Sequence, residues 1–252
     1  MTLRLELWVE GPTDALTHAR FKDADEGKAP AHTARGALIP LVKKALSASI
    51  DITPKNLNDR LPNDQISAHM LTRKVRDPVA FKDDRRQYPI SNKARKLLIA
   101  MSNTRRNLPN TMVLAIWDRD GKVENERDRD GILKILREHG KEGTAVALCV
   151  EELEAWLLGD PGAFRRCFKK GPKKGLPGAP ENLPNPKEKL VEILNELGVS
   201  GDDWAGVYHD LAEQADVETL AKNCPRGFDE MRKALVEFLA PCVLSAAGST
   251  QP

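Results

Sequence analysis

Several things are scarce in this 252-residue sequence, and each scarcity closes a door. Cysteine occurs four times, at Cys149, Cys167, Cys224 and Cys242, with no paired CxxC spacing, which argues against a zinc site. No apolar run approaches the ~18 residues needed to cross a bilayer. The opening Met1-Thr2-Leu3-Arg4-Leu5-Glu6 has neither the basic nor the apolar region of a secretory signal. Net charge is also small: at +2 it implies no polyanionic partner by itself, so only its distribution can. With 40% hydrophobic and 30% charged residues, the balance is that of an ordinary globular chain. Together these features predict a soluble, reduced, cytoplasmic protein without a membrane partner.

What is present is organised around one stretch. Val113-Leu114-Ala115-Ile116-Trp117 runs into Asp118-Arg119-Asp120-Gly121. A short apolar run bounded by turn residues reads as a strand buried on both faces, as in a parallel sheet. Carboxylates two apart in extended chain project to the same side. At ~4 Å separation they repel by roughly 4 kcal/mol at an effective dielectric near 20, a cost that a hard divalent cation removes.

The first strand is expected at 3–9, ending at Glu10-Gly11-Pro12-Thr13-Asp14, where glycine permits a sharp turn and Thr13 or Asp14 can cap a helix. A charged loop follows at 22–32 and a helix at 33–47. Residues 50–53 read as a short strand. From 54 to 89 prolines and polar residues leave little periodicity, which suggests an inserted subdomain or long functional loop. A helix is expected at 92–101, the organising strand at 113–117, and a short helix at 132–136 stopped by His139-Gly140. A second buried strand spans 144–150 and passes straight into a helix at 151–158, and Asp160-Pro161 opens another. Residues 171–186 read as irregular. Helices at 186–197, 211–222 and 228–239 close the chain before a frayed tail at 245–252. Cys149, Trp8, Trp117 and Trp156 lie in apolar runs and are assigned to the core.

This alternation predicts an α/β fold: a mainly parallel, Rossmann-like sheet flanked by helices, with a basic insertion and a helical C-terminal extension. The catalytic core would occupy 1–160, with the insertion or loop at 54–90, and the extension 161–252. Three strand ends then carry acids: Glu10, Asp118 with Asp120, and Glu151 with Glu154, the last two sharing a helix face. Each alone has a plain structural reading as a cap, turn or solvated acid. Together they suit one or two Mg²⁺ (or Mn²⁺) ions holding a phosphodiester for attack by water.

These same residues resemble a known family. Trp8-Val9-Glu10-Gly11-Pro12-Thr13-Asp14 with Ile116-Trp117-Asp118-Arg119-Asp120-Gly121 looks like the Toprim fold of topoisomerases, primases and overcoming-lysogenisation-defect nucleases. Glu151-Glu152-Leu153-Glu154-Ala155-Trp156-Leu157-Leu158-Gly159-Asp160 resembles the EAWLLxD signature of bacterial Toprim-like proteins, the domain of unknown function 4276 and its RloB-like relatives. Asn185-Pro186-Lys187-Glu188-Lys189-Leu190 and Cys224-Pro225-Arg226-Gly227-Phe228 are similar to that group as well. The resemblance implies that Glu10 is a general acid/base or metal ligand, that Asp118 and Asp120 are metal ligands, and that Glu154 is the third-strand acid. Glu151 is added as a metal ligand from helical facing alone. It further implies an ATPase partner of AAA or ABC type and an antiphage role. Many Toprim proteins continue to a third acid, DxDxD, where this chain has Lys122; Glu124 or the Glu151/Glu154 pair would have to substitute.

A polyanion also has somewhere to lie. Residues 69–107 hold eleven Lys/Arg against three acids, among them Arg73, Lys74, Arg76, Arg85 and Arg86. Residues 165–174 add Arg165, Arg166, Lys169, Lys170, Lys173 and Lys174 with no acid. Such blocks beside a metal site suit nucleic-acid backbone contact; a charged surface or an acidic protein partner is the plainer alternative. Tyr88 is a candidate for base stacking. Two other functions compete with a nuclease. Asp118-Arg119-Asp120-Gly121 also resembles the nucleophile loop of haloacid-dehalogenase-type phosphatases, although that leaves Glu10-Gly11 and Glu154-Ala155-Trp156 unexplained. A non-catalytic Toprim-like scaffold is the other, with Lys122 as its clue.

Overall fold

The structure, a computed structural model, describes residues 2–9, 36–70, 90–107, 110–118, 122–139, 143–150, 153–172, 175–199 and 204–248. Four strands form one sheet in the order β2-β1-β3-β4: β1 (Arg4–Val9), β2 (Ile66–Met70), β3 (Thr111–Asp118) and β4 (Thr144–Cys149). Every neighbouring pair is parallel. The apolar runs dictate this. β4 is buried at all six positions, and from Met112 to Trp117 β3 is no more than 4% exposed, so both strands are covered on two faces. Parallel neighbours need crossover connections, and helices supply them.

α1 (Leu38–Ser49) and α2 (Pro54–Arg60) lie between β1 and β2 in the chain. Thr53 opens α2 by accepting the Asn56 N–H at 3.3 Å, with Pro54 at the first helical position. The expected strand at 50–53 is therefore corrected: Asp51 takes φ +50°, and Thr53 serves as a helix cap. The weak signal from 54 onward is also resolved in part, since α2 and the edge strand β2 lie in its first half. β2 is short and mixes Ser67 and His69 with its apolar residues, which hid its period. Residues 71–89 lie outside the described residues.

α3 (Asn92–Asn107) joins that segment to β3, and α4 (Val123–Glu138) joins β3 to β4. α4 begins nine residues before the 132–136 helix expected from the sequence, because Gly131 does not break it. A Cβ at Gly131 would lie 2.2 Å from Ile90 Cγ2, so the glycine is the seat of a packed isoleucine. One turn earlier, the buried Asp128 accepts the Ser91 N–H at 2.7 Å and the Ser91 hydroxyl. Ser91 Oγ in turn accepts the Ala94 N–H, capping α3. The N-terminal ends of α3 and α4 are thus tied together.

The remainder is helical: α5 (Leu153–Leu158), α6 (Pro161–Phe168), α7 (Pro186–Glu196), α8 (Trp204–Gln214), α9 (Val217–Asn223) and α10 (Phe228–Ala234). α10 continues through a π turn at Leu235–Leu239 into α11 (Ala240–Gly248), well into the expected tail. The helix expected at 211–222 is two helices, since Asp216 stops one and caps the next by accepting the Thr219 N–H at 2.8 Å. The π turn has a local cause: the Gly143 N–H, just before β4, donates to the Phe238 carbonyl. Arg137 of α4 fixes the same turn, forming two hydrogen bonds to Glu237 with its guanidinium 5.8 Å from the Phe238 ring centre. α10 and the π turn pack directly on β4, so the C-terminal helices and the sheet share one buried core. No helix among the described residues is long and apolar enough to cross a membrane.

Candidate metal and nucleic-acid site

The strand order decides where a site can form. From β1 the chain crosses to β2 on one side, then returns past β1 to β3 on the other. The connections leaving β1 and β3 therefore diverge, opening a crevice at the carboxyl ends of these two strands, the place where ligands bind in open α/β sheets. Val9 at the end of β1 is level with Ile116, which is level with Ala147; Asp118 at the tip of β3 is level with Cys149. Glu10 follows directly in the chain on β1, and Asp120 follows on β3. Among the sequence-predicted acids, Asp118 is thus placed at this edge, as the last residue of β3 beside the switch point.

Of these acids, Asp118 is placed by its backbone as the last residue of β3. Glu10, Asp120 and Glu151 lie outside the described residues, as do Arg73, Lys74, Arg76, Arg85, Arg86 and Tyr88. Glu154 lies in the first turn of α5, which begins four residues after β4, and is only 5% exposed. A carboxylate withdrawn that far from water stays charged only with partners or a cation, and Glu154 is engaged within the fold. Among the described residues there is no cluster of three or more His, Cys, Asp or Glu able to hold a metal. The donor set expected from the sequence is all carboxylate, and hard oxygens of this kind fit Mg²⁺ or Mn²⁺ rather than zinc or copper.

Positive charge gathers at the same edge. Crossover helices run against their strands, so the starts of α3 and α4 lie at the carboxyl edge and their ends at the opposite one. The Asp128–Ser91 tie joins the two starts, and Arg105 near the end of α3 lies against Gly143, just before β4. Lys93 and Lys96 on the first turns of α3, and Lys122 and Arg127 at the start of α4, therefore share the edge of the acidic strand ends. Lys93, Lys122 and Arg127 are exposed. A groove of about 430 Å³ runs from this edge along α4, lined by Val123, Glu126, Arg127, Asp130, Gly131 and Lys134. Arg127 was not singled out from sequence; its place just over one turn into the helix that follows β3 was the available signal.

The second basic block divides. Arg165, Lys169 and Lys170 are exposed on and just beyond α6, with Lys169 ending the helix at φ +55°. Arg166, exposed as well, is tied down by partners instead. Its guanidinium contacts Asp160 at 2.6 Å and donates to the Gln214 carbonyl at 2.9 Å. Asp160, 3% exposed, also caps α6 through the Gly162 N–H and accepts the Asp216 N–H at 2.8 Å. The acid that ends the EAWLLxD stretch is therefore a clamp joining α6, α8 and α9.

The rest of that stretch locks onto the CPRGF turn. Trp156, fully buried, meets Phe228 edge-on at 5.5 Å between ring centres. Glu181, which the sequence did not single out, is 4% exposed and accepts the N–H groups of Arg226 and Gly227 at 2.9 and 2.6 Å. Burial pushes its carboxyl above the ordinary value, against the opposing pull of those N–H groups and the Arg226 charge. Arg226 reaches across to Glu126 on α4 at 3.1 Å. Burial likewise raises the Cys224 thiol well above its ordinary value, which keeps it inert. The two signatures thus form one packed unit that fixes α5, and with it Glu154, against the end of β4.

The family model for a domain of unknown function, DUF4276, matches residues 26–235, and the chain belongs to that family. No curated protein and no solved structure matches it.

Proposed function

We propose that this member of the DUF4276 family is a Toprim-like, Mg²⁺-dependent nuclease of the RloB-like kind, hydrolysing phosphodiester bonds in DNA or RNA, tRNA included. One observation supports the reading: β3 ends on Asp118 beside the end of β1 at the switch point of a parallel sheet, and exposed Lys93, Lys122 and Arg127 lie on helices that start at that edge. Glu10, Asp118, Asp120 and Glu154 would hold the ion, with Glu151 beside them. Bound there, Mg²⁺ supplies Lewis-acid polarisation of the phosphate and a water of lowered pKa. The protein's part is to hold and orient. Lys93, Lys96 and Arg127 attract the sugar–phosphate backbone to the edge, with Arg165, Lys169 and Lys170 offering a further surface. Glu10, the residue that follows β1 in the chain, would take a proton from the attacking water, as the family resemblance implies. The resemblance to defence-associated relatives supports an ATPase partner of AAA or ABC type and an antiphage role in the cytoplasm.

The test uses the full chain with plasmid, single-stranded DNA and tRNA, in Mg²⁺, Mn²⁺ or EDTA, alongside Asp118→Ala and Glu10→Ala. Metal-dependent cleavage lost in both variants is the expected result. Hydrolysis of a small phosphomonoester that needs Asp118 but is indifferent to Glu10→Ala would replace this reading with the phosphatase. Silence on every substrate, with a neighbouring ATPase added, would leave a binding scaffold.

A further inference from the structure

The helical period sorts the cations of α6 onto one side. Ala163 and Phe164 are buried and Cys167 and Phe168 half-buried, while Arg165, Arg166, Lys169 and Lys170 are exposed. Positions four apart share a face, so the charges lie opposite the apolar side that packs inward. Arg166 is spent on Asp160 and the Gln214 carbonyl, which pins α6 to the fold. Arg165, Lys169 and Lys170 form no ion pair with any described residue. Elsewhere in the helical half cations come with acids: Lys189 with Glu192, Arg226 with Glu126, and both Arg232 and Lys233 with Asp229.

Two details build the cluster. Lys169 ends the helix at φ +55°, a conformation that glycine or asparagine usually supplies. The chain folds back there, so that Gly171 lies against Arg165: a Cβ on the glycine would stand 3.4 Å from Arg165 Cγ. This keeps the arginine stem beside the turn that carries both lysines. A lysine held in a backbone state that favours glycine, next to two more unpaired cations, breaks local rules in the manner of functional positions.

What such a face can hold follows from what surrounds it. The exposed large apolar residues among those described are Val123, Val236 and Leu244, none of them on α6 or the turn after it. A protein partner needs an apolar centre to its interface, and a membrane-surface helix presents large apolar residues to the lipid. Bare cations suit phosphates, whose contacts are dominated by charge and carry no sequence information. Resting on the nucleic-acid part of the proposed function, we infer that Arg165, Lys169 and Lys170 form a sequence-independent holding surface for a nucleic-acid backbone, one that needs no metal ion. Arg166 belongs to its foundation and makes no phosphate contact.

Fluorescence anisotropy of the full chain with a labelled mixed-sequence DNA duplex, in EDTA and between about 50 and 200 mM salt, tests this apart from cleavage. Each phosphate contact contributes about 0.9 to the slope of log affinity against log salt. Changing all three cations to glutamine should therefore flatten the slope by about 2.7 and lower affinity at least about 10²-fold at about 50 mM salt. Lys169→Gly separates binding from folding: it relieves the positive φ, so Tm holds or rises while the slope falls by about 0.9. Lys222→Gln, which removes an exposed cation from the last turn of α9, stays within about twofold of wild type. A duplex of a second sequence binds equally well. A slope unmoved by the triple change, or affinity lost as readily in Lys222→Gln as in Lys169→Gly, would overturn the inference and leave the nuclease standing. Polyglutamate competing as well as DNA would overturn it in favour of an acidic protein partner. Binding with these slopes but no cleavage under any condition would keep the surface and sink the nuclease.

Discussion

Gly227→Ala isolates one steric contact at the junction of the two family signatures. Gly227 has φ −108°, open to any residue, so alanine brings no backbone strain. Its Cβ would instead lie 2.6 Å from Glu181 Oε1, 2.6 Å from Trp156 Nε1 and 3.1 Å from the Leu148 carbonyl oxygen. None of these can yield cheaply. Trp156 is fully buried, Leu148 is sheet backbone, and Glu181 is held by the very N–H groups the added methyl would displace. Overpacking a rigid site costs about 1–3 kcal/mol, and loosening hydrogen bonds to a buried carboxylate adds about 1.5–3 kcal/mol. The expected loss is about 3 kcal/mol, a fall in Tm of roughly 6–12 °C for a chain of this size. Two alanine controls calibrate it in urea unfolding. Gly175, at φ +73° with nothing within 4 Å of its would-be Cβ, costs about 1 kcal/mol from conformation alone. Gly178, in open space, stays within about 0.5 kcal/mol of wild type. Should Gly227→Ala prove no more costly than Gly175→Ala, the account of a rigid Trp156–Glu181 cradle is wrong.

Three further outcomes follow from buried charge and packing. Because burial raises the folded carboxyl of Glu181 above its ordinary value of 4.5, its contribution is fully present below that value and lost as pH rises through the raised one. Stability of the wild type relative to Glu181→Gln should thus fall from pH 4.5 upward, read as the difference between their urea midpoints; a flat difference refutes it. Asp160→Ala removes the acceptor of two backbone N–H groups at a 3%-exposed position, while the 45%-exposed Arg166 guanidinium keeps the Gln214 carbonyl and water, so a loss of about 2 kcal/mol is expected in the same assay, against less than 1 kcal/mol for Lys170→Ala on the open surface. Gly131→Ala should lose stability despite the better helix propensity of alanine, since its Cβ meets Ile90 at 2.2 Å, and a further change of Ile90→Val should return part of the loss in a double-mutant cycle.

How much of this was legible in the sequence varied with the physics of each segment. β3 and β4 are covered on both faces, so their uninterrupted apolar runs announced them within one or two residues. β2 is a strand of five residues broken by Ser67 and His69, so it lacks the uninterrupted apolar run that announces β4, the other edge strand. The early start of α4 was concealed by Gly131, whose reason is a contact with Ile90 forty-one positions away. The break between α8 and α9 turns on Asp216, one more polar residue until its cap bonds to Thr219 are seen. The acidic strand ends were readable because a strand tip followed by glycine is a local signal. That β1 and β3 are neighbours, which makes their ends one crevice, follows only from β2 crossing to the far side of β1.

The same division runs through the signature residues, where similarity in sequence does not separate ligands from scaffold. Asp160 and Glu154 belong to one stretch and both are nearly inaccessible to water. Asp160 is saturated by Gly162, Arg166 and Asp216, all within 2.8 Å, so its charge is spent on helix junctions. Glu154 precedes it by six residues, in the first turn of the helix that leaves the end of β4, at the edge where Asp118 also ends its strand. Trp156 and the CPRGF turn between them hold that helix rigid from the other side. On the proposed nuclease reading Glu154 would need such a frame, because a ligand misplaced by about 1 Å loses much of its effect. On this view most of the signature exists to position one acid.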